Sequence, residues 1–128
     1  MRIFVFGSNL SGIHGAGAAK FANLHRDAEW GVGEGITGRS YALPTKEGNV
    51  ADSRSLFDVK KSVDKFLAFA EANPQMIFSV TRVGCGLAGF TDEEIGPMFK
   101  DSPNNCEFDP LWSALFGYKP WMVYREAL

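Results

Sequence analysis

The stretch that decides the fold covers residues 6–20 and reads FGSNLSGIHGAGAAK. It follows an apolar run at residues 3–6, which predicts a buried strand, and it leads into small residues typical of the beginning of a helix. Free backbone N–H groups in a glycine-rich loop and the positive end of a helix dipole both attract anions. A strand, a glycine loop and a helix in this order therefore predict an anion-binding site.

The bulk composition limits the classes of protein to which the chain can belong. Its 128 residues, 45% of them hydrophobic, predict one domain over residues 1–128. A net charge of −2 with scattered Lys and Arg argues against binding to long nucleic acids. Cys85 and Cys106 are too few for a disulfide framework and belong to no zinc-binding pattern, so we predict no metal and no cofactor. Without a signal peptide or a membrane-length apolar run, the expected location is the cytoplasm.

Strands and helices alternate along the chain. Apolar runs predict strands over residues 2–6, 40–44 and 76–81, and helices are predicted over residues 15–28, 55–73, 92–100 and 110–116. The end of the chain, residues 118–128, fits either an edge strand at 121–124 or a packed tail. This alternation predicts an α/β protein, specifically a three-layer α/β/α sandwich around a mostly parallel sheet.

Two further glycine-rich segments follow the first. Residues 31–38 predict an exposed loop without regular structure, and residues 82–90 predict a loop after the strand at 76–81. Ligands of parallel α/β sheets bind beyond the carboxyl ends of the strands. We therefore expect the three glycine loops to surround one nucleotide-binding cleft.

Three blocks of the sequence resemble the macrodomains, a family that binds ADP-ribose. The blocks are Gly7–Ala19, Gly33–Gly38 and Arg82–Phe90, and the similarity extends over about residues 3–100. The chain resembles the compact branch that contains the terminal ADP-ribose–glutamate glycohydrolases, and it resembles some short bacterial and phage proteins still more. Short bacterial and phage proteins carry all three blocks in nearly this form. The resemblance implies a macrodomain-like fold and an ADP-ribose-like ligand, with an ADP-ribosylated protein as a further partner.

The resemblance also implies which residues bind the ligand. The third loop would wrap the diphosphate and the distal ribose, Phe90 would pack against a ribose, and Asn9 would bond the ribose hydroxyls. The helix start would face the diphosphate. The implied ligand-binding residues are Gly7, Ser8, Asn9, Gly15, Ala16, Gly17, Gly84, Cys85, Gly86, Leu87, Ala88, Gly89 and Phe90.

Catalysis is less well supported than binding. Lys46 stands where the glutamate-specific glycohydrolases carry their lysine, but the position of their aspartate is Ala88. A second macrodomain branch carries its aspartate at the position of Ala18 or Ala19. Asp92 or Glu93 could replace the missing acid, or could simply complement the dipole of their helix.

Several side chains leave alternatives open. Lys46 is either the catalytic lysine or a solvated turn residue, and His14 is a general acid or base, a phosphate donor or an exposed residue. Cys85 is better explained as a small packing residue than as a nucleophile. Arg39 and Arg82 could reach a phosphate or serve structural roles. The chain is accordingly expected to bind an ADP-ribose-like nucleotide, and it could also hydrolyse an ADP-ribose derivative or release ADP-ribose from a target. The alternative is a non-enzymatic sensor or sponge for another signalling nucleotide.

Overall fold

A computed structural model describes residues 1–121 and shows an α/β protein. Its strands are β1 (Arg2–Asn9), β2 (Gly35–Thr37), β3 (Ser40–Lys46), β4 (Ile77–Val80) and β5 (Cys106–Phe108). Its helices are α1 (Gly17–His25), α2 (Leu56–Ala72), α3 (Asp92–Ile95) and α4 (Pro110–Phe116), and a 3-10 helix covers Gly96–Phe99.

The five strands form one mixed sheet in the order β2-β3-β1-β4-β5. All pairs are parallel except β2 with β3, so the carboxyl ends of β1, β3, β4 and β5 lie at one edge. The predicted α/β class with a mostly parallel sheet is confirmed. The first strand is central in the sheet. A central strand is packed on both faces, which explains why its apolar residues do not alternate with polar ones.

Helices pack on both faces of the sheet. The larger core joins α2 and α4 to one face through residues such as Phe66 and Trp112, which are fully buried. The smaller core lies on the other face, where Ala19 and Ala22 of α1 pack against Phe6. Alanines on α1 let its backbone approach the sheet closely, which places the helix beside the end of β1.

β1 and β3 are longer than the sequence predicts. β1 continues through Gly7 to Asn9, and β3 continues through Pro44 to Lys46, because the two ends pair with each other. Pro44 was expected to end the strand. It is tolerated because β2 pairs only with residues 40–42, so Pro44 has no partner in β2 that would need its missing N–H.

The second glycine segment is not the irregular exposed loop that the sequence predicts. Residues 35–37 form β2, and Gly38 with Arg39 makes the two-residue turn of a hairpin with β3. Gly38 has φ +56°, and a Cβ atom there would overlap Asp27. These glycines serve a tight turn and close packing.

β5, like β2, is not predicted from the sequence. It has only three residues, and Glu107 interrupts the apolar pattern. The Glu107 carboxylate is buried because Arg2, at the other end of the chain, donates to it at 2.7 Å. A local pattern cannot reveal such a partner, since the two residues are 105 positions apart.

The helices agree with the predictions in type and differ in length. α1 ends at His25, soon followed by Asp27 in a left-handed conformation (φ 62°), and the predicted helix at 92–100 consists of α3 and the 3-10 turn. Thr91 and Glu94 form a capping box at the start of α3, and Asp109 caps α4. Lys119–Trp121 run beside Phe108 of β5. Residues 122–124 of the predicted edge strand lie outside the described residues.

Among the helices of residues 1–121, none has the length and apolar character that crossing a membrane requires.

Candidate functional site

A cleft of about 690 Å³ opens at the edge where the parallel strands end. Each of these four strands contributes residues at or just beyond its carboxyl end: Asn9 from β1, Lys46 from β3, Arg82 after β4 and Asp109 after β5. The volume lies in the range of small-molecule sites. A cavity therefore lies at the sheet edge where the sequence predicts a ligand site.

Two of the three glycine segments line this cleft. The first contributes Gly7, Ser8, Asn9 and Gly15–Ala19, and the third contributes Gly84–Ala88. No residue of Gly33–Gly38 is among the lining residues. The expectation that three glycine loops form the cleft is thus wrong. The second segment instead packs against the first, and the Ser8 hydroxyl donates to the Gly33 carbonyl at 2.5 Å.

Gly7 allows the third loop to cross the end of β1. A Cβ atom on Gly7 would lie 3.2 Å from the Gly84 nitrogen and 3.4 Å from Thr45 Oγ1. Gly84 has φ +79°, a backbone conformation that residues with a side chain rarely adopt. Both glycines are therefore explained by the close passage of one loop over one strand.

The third loop presents unpaired backbone N–H groups. Cys85, Gly89 and Phe90 donate to carbonyls within the loop, at 2.9–3.1 Å. Gly86, Leu87 and Ala88 donate to no acceptor among residues 1–121. Three consecutive free amides beside a cavity are a typical anion-binding arrangement.

The beginning of α1 supplies a second set of free donors. Its cap residue, Ala16, makes no side-chain hydrogen bond, and the first turn contains no acidic residue. The amides of residues 17–19 have no acceptor in the described chain, and all three residues line the cleft. A Cβ atom on Gly17 would lie 3.7 Å from Leu87 Cδ1, so the helix start and the third loop approach each other across the cleft.

Gly89 and Phe90 do not line the cleft. Phe90 packs against the larger core, and its ring would lie 3.1 Å from a Cβ atom on Gly84. Its position beneath the loop contradicts the expected contact with a ribose. Gly89 has φ +80° and closes the turn through its N–H to the Gly86 carbonyl.

Asn9 shapes the first loop. Its Nδ2 donates to the Ile13 carbonyl at 2.8 Å, and its Oδ1 accepts from the Ile13 N–H at 2.9 Å. Both ends of the side-chain amide are therefore used, although Asn9 lines the cleft as predicted. We assign its side chain to the loop rather than to ribose hydroxyls.

His14 is buried and does not line the cleft. Its ring packs edge-on against Phe6 and Trp30, with centroids 5.3 and 6.0 Å apart. Nε2 lies 3.0 Å from the Glu29 carbonyl, which requires the proton on that nitrogen, while Nδ1 has no partner among residues 1–121. The predicted role as a general acid or base does not fit this position, because His14 is buried and is not among the residues that line the cleft.

Lys46 lies in the cleft, where the resemblance places a catalytic lysine. Its ammonium group makes no hydrogen bond or ion pair within residues 1–121. Ala18, Ala19 and Ala88, the positions where the resemblance to macrodomain enzymes leads one to expect an acid, also line the cleft. The walls thus contain the lysine without either aspartate.

Cys85 lines the cleft, but its chemistry does not suit a nucleophile. Burial raises the pKa of its thiol to about 12, and the Asp92 charge adds to the rise. A thiol with such a pKa is almost entirely protonated at neutral pH. The structure therefore supports the packing role predicted for Cys85.

Asp92 is engaged by Arg82 and Trp112, so it does not replace the missing acid. Arg82 Nε and Nη2 donate to its two oxygens, each at 2.7 Å, and Trp112 Nε1 donates to Oδ1 at 2.6 Å. These bonds, that of Arg82 first, lower the pKa of Asp92 to about 2. Glu93 is exposed and outside the cleft lining.

We expect Asp92 to make the protein sensitive to acid. Its folded pKa, about 2, lies below the 3.8 of an unperturbed carboxyl, so its stabilisation is present above pH 3.8 and is lost as pH falls through 2. The unfolding free energy of wild type should therefore decrease more between pH 5 and pH 2 than that of Asp92→Asn. Urea denaturation at several pH values measures both. Glu93→Gln, which removes an exposed carboxylate, should follow wild type, and equal pH dependence of wild type and Asp92→Asn would contradict the assignment.

Other lining residues were missed by the sequence analysis. Asp109 was not among the predicted site residues, and its Oδ1 accepts from the Leu111 N–H at 2.8 Å. Recognition of β5 would have placed Asp109 at the sheet edge that binds ligands. The remaining lining residues that were not predicted are Ile13, Thr45, Val50, Thr81 and Val83.

Comparison of the chain with protein-family models, with curated proteins and with solved structures found no match. The likeness to macrodomains accordingly rests on the sequence blocks quoted above.

Proposed function

We propose that this protein binds ADP-ribose or a related NAD-derived nucleotide in the cleft at the sheet edge. The observation that carries the proposal is the two sets of unpaired amides, at Gly86–Ala88 and at residues 17–19, on walls that approach each other. Backbone amides at a helix start and in a glycine loop suit phosphate oxygens. Two such sets match the two phosphates of a diphosphate.

The size and lining of the cleft agree with a nucleotide. About 690 Å³ leaves room for sugar and base groups beyond the diphosphate. Ile13, Val50 and Leu87 provide apolar surface for these groups. The macrodomain resemblance, which extends over the two glycine segments of the cleft, favours ADP-ribose over other diphosphates.

Isothermal titration calorimetry tests the proposal directly. We expect ADP-ribose to bind more tightly than ADP, and adenosine to bind weakly or not at all, because adenosine has no group for the free amides. No heat from ADP-ribose at millimolar concentration would overturn the proposal. Binding of another signalling nucleotide in its place would favour the sensor or sponge.

A second candidate function is hydrolysis, which the unpaired Lys46 in the cleft favours. Release of ADP-ribose from a modified glutamate would consume one water and leave the free carboxylate. Incubation of wild type and Lys46→Ala with ADP-ribosylated protein tests it, with Lys60→Ala on α2 as the control. Turnover that survives in Lys46→Ala would exclude Lys46 from catalysis, and no turnover in wild type would leave binding as the function.

A further inference from the structure

Arg82 is a cation in the cleft whose orientation is held by other side chains. It follows β4 and lines the cleft, and 38% of its side chain is exposed. Its Nε and Nη2 atoms form a two-point contact with the Asp92 carboxylate. Such a planar contact fixes the whole guanidinium group, which a lysine in the same place would not achieve.

The carboxylate that holds Arg82 is itself held firmly. Trp112, which is fully buried, donates its indole N–H to Asp92 at 2.6 Å. Asp92 is also the first residue of α3, whose start is fixed by the Thr91–Glu94 capping box. Three separate elements, α3, α4 and the loop after β4, therefore determine the direction of one guanidinium group.

Some N–H donors of the guanidinium group take no part in this contact. An arginine has five N–H donors, and the contact with Asp92 uses one on Nε and one on Nη2. Nη1 has no acceptor among residues 1–121. The other charged groups of the cleft are Lys46 and Asp109, and the free amides of Gly86–Ala88 belong to the same loop as Arg82.

We propose that Arg82 is the side-chain ligand for an anionic group in the cleft, through its free Nη1 donors, and that Asp92 and Trp112 position it. The ligand class is a phosphate or diphosphate, bound jointly by Arg82 and the loop amides. With ADP-ribose as the ligand this inference rests on the proposed function, but anion binding by Arg82 can be measured without that nucleotide. The orientation is set before binding, so little side-chain freedom is lost when the anion arrives.

The test removes the charge of Arg82 without leaving Asp92 unpaired. The double variant Arg82→Gln with Asp92→Asn replaces an ion pair by two amides and keeps the net charge of the protein. The matched control is Arg39→Gln with Asp27→Asn, since Arg39 Nε and Asp27 form an ion pair at 2.6 Å outside the cleft lining. Thermal unfolding of each variant establishes that it is folded.

Calorimetry with ADP-ribose and with inorganic pyrophosphate then measures binding at several salt concentrations. We expect the Arg82 variant to lose about tenfold in affinity for both ligands and to show a weaker salt dependence, because a charged contact is screened by salt and a neutral one is not. The control should remain within about twofold of wild type. Arg82→Lys, which keeps the charge and loses the planar contact, should also bind more weakly, and it serves if the double variant does not fold.

The outcomes separate this inference from the proposed function. If ADP-ribose binds wild type and the Arg82 variants equally well, Arg82 only joins the loop to the helices and the inference is overturned. If pyrophosphate binding depends on Arg82 while ADP-ribose does not bind, the inference stands and the proposed nucleotide is wrong. If neither ligand binds wild type, both proposals fail.

Discussion

Replacing Gly86 with valine is expected to abolish ADP-ribose binding while the protein remains folded. A Cβ atom on Gly86 would meet no atom within 4 Å, and the residue has no positive φ that would exclude a side chain. The new side chain would instead occupy space beside the free amides of residues 86–88. Hydrogen bonds to charged groups are each worth about 1.5–3 kcal/mol, so separating a phosphate from two amides should lower affinity about 100-fold or more.

Calorimetry with ADP-ribose and urea denaturation measure the two halves of this prediction. The matched control is Ala68→Val, which adds a branched side chain to an exposed position of α2 remote from the cleft lining. That control should bind as wild type does. Unchanged affinity in Gly86→Val would mean that the third loop is only a turn.

Replacing Gly33 with alanine should destabilise the fold, whereas Gly86→Val should leave the fold intact. A Cβ atom there would lie 2.5 Å from the Leu10 carbonyl oxygen and closer still to that of Asn9. Both obstacles are backbone atoms that follow or end the central strand, so β1 or the second glycine segment must move. The buried bond from Ser8 to the Gly33 carbonyl would be strained as well. Overpacking of this kind costs about 3 kcal/mol in unfolding free energy.

Urea denaturation of Gly33→Ala beside Gly86→Ala isolates the cause. Both variants add one methyl group to a glycine without a positive φ, but only Gly33 is enclosed by backbone. Gly86→Ala should stay within about 0.5 kcal/mol of wild type, the usual range for open sites. A stable Gly33→Ala would imply that the second segment is mobile enough to be a binding loop, as the sequence analysis had expected.

The comparison of these two glycines shows what sequence patterns can resolve. Both stand in glycine-rich segments, and the sequence predicts that both segments form the cleft. One segment has free amides beside a cavity, and the other makes a hairpin and packs behind the first loop. Glycine content indicates a backbone that needs freedom or close approach, but a sequence does not say what approaches it.

The sequence predicted those parts of the candidate site that lie directly after a strand. The runs before Gly7 and before Arg82 are apolar and local, so their strands and the loops after them were identified, and eleven of the thirteen predicted ligand residues line the cleft. Phe90 and His14 were misplaced for one reason: a side chain in a loop can point into the cleft or into the core. Asp109 was missed because β5 was not recognised, since the strand is short and its middle residue, Glu107, is a charged residue paired with the distant Arg2.

By itself, the sequence determined the α/β class, the mostly parallel sheet and the edge at which the cleft lies. Apolar periodicity and helix caps act over a few residues, so they can be recognised locally. Only the tertiary structure decided which glycine segments face the cavity, that His14 is enclosed by aromatic rings, and that Arg82 is held by Asp92 and Trp112. Those features depend on contacts between residues distant in the chain, and such contacts exist only after the sheet has brought the strand ends together.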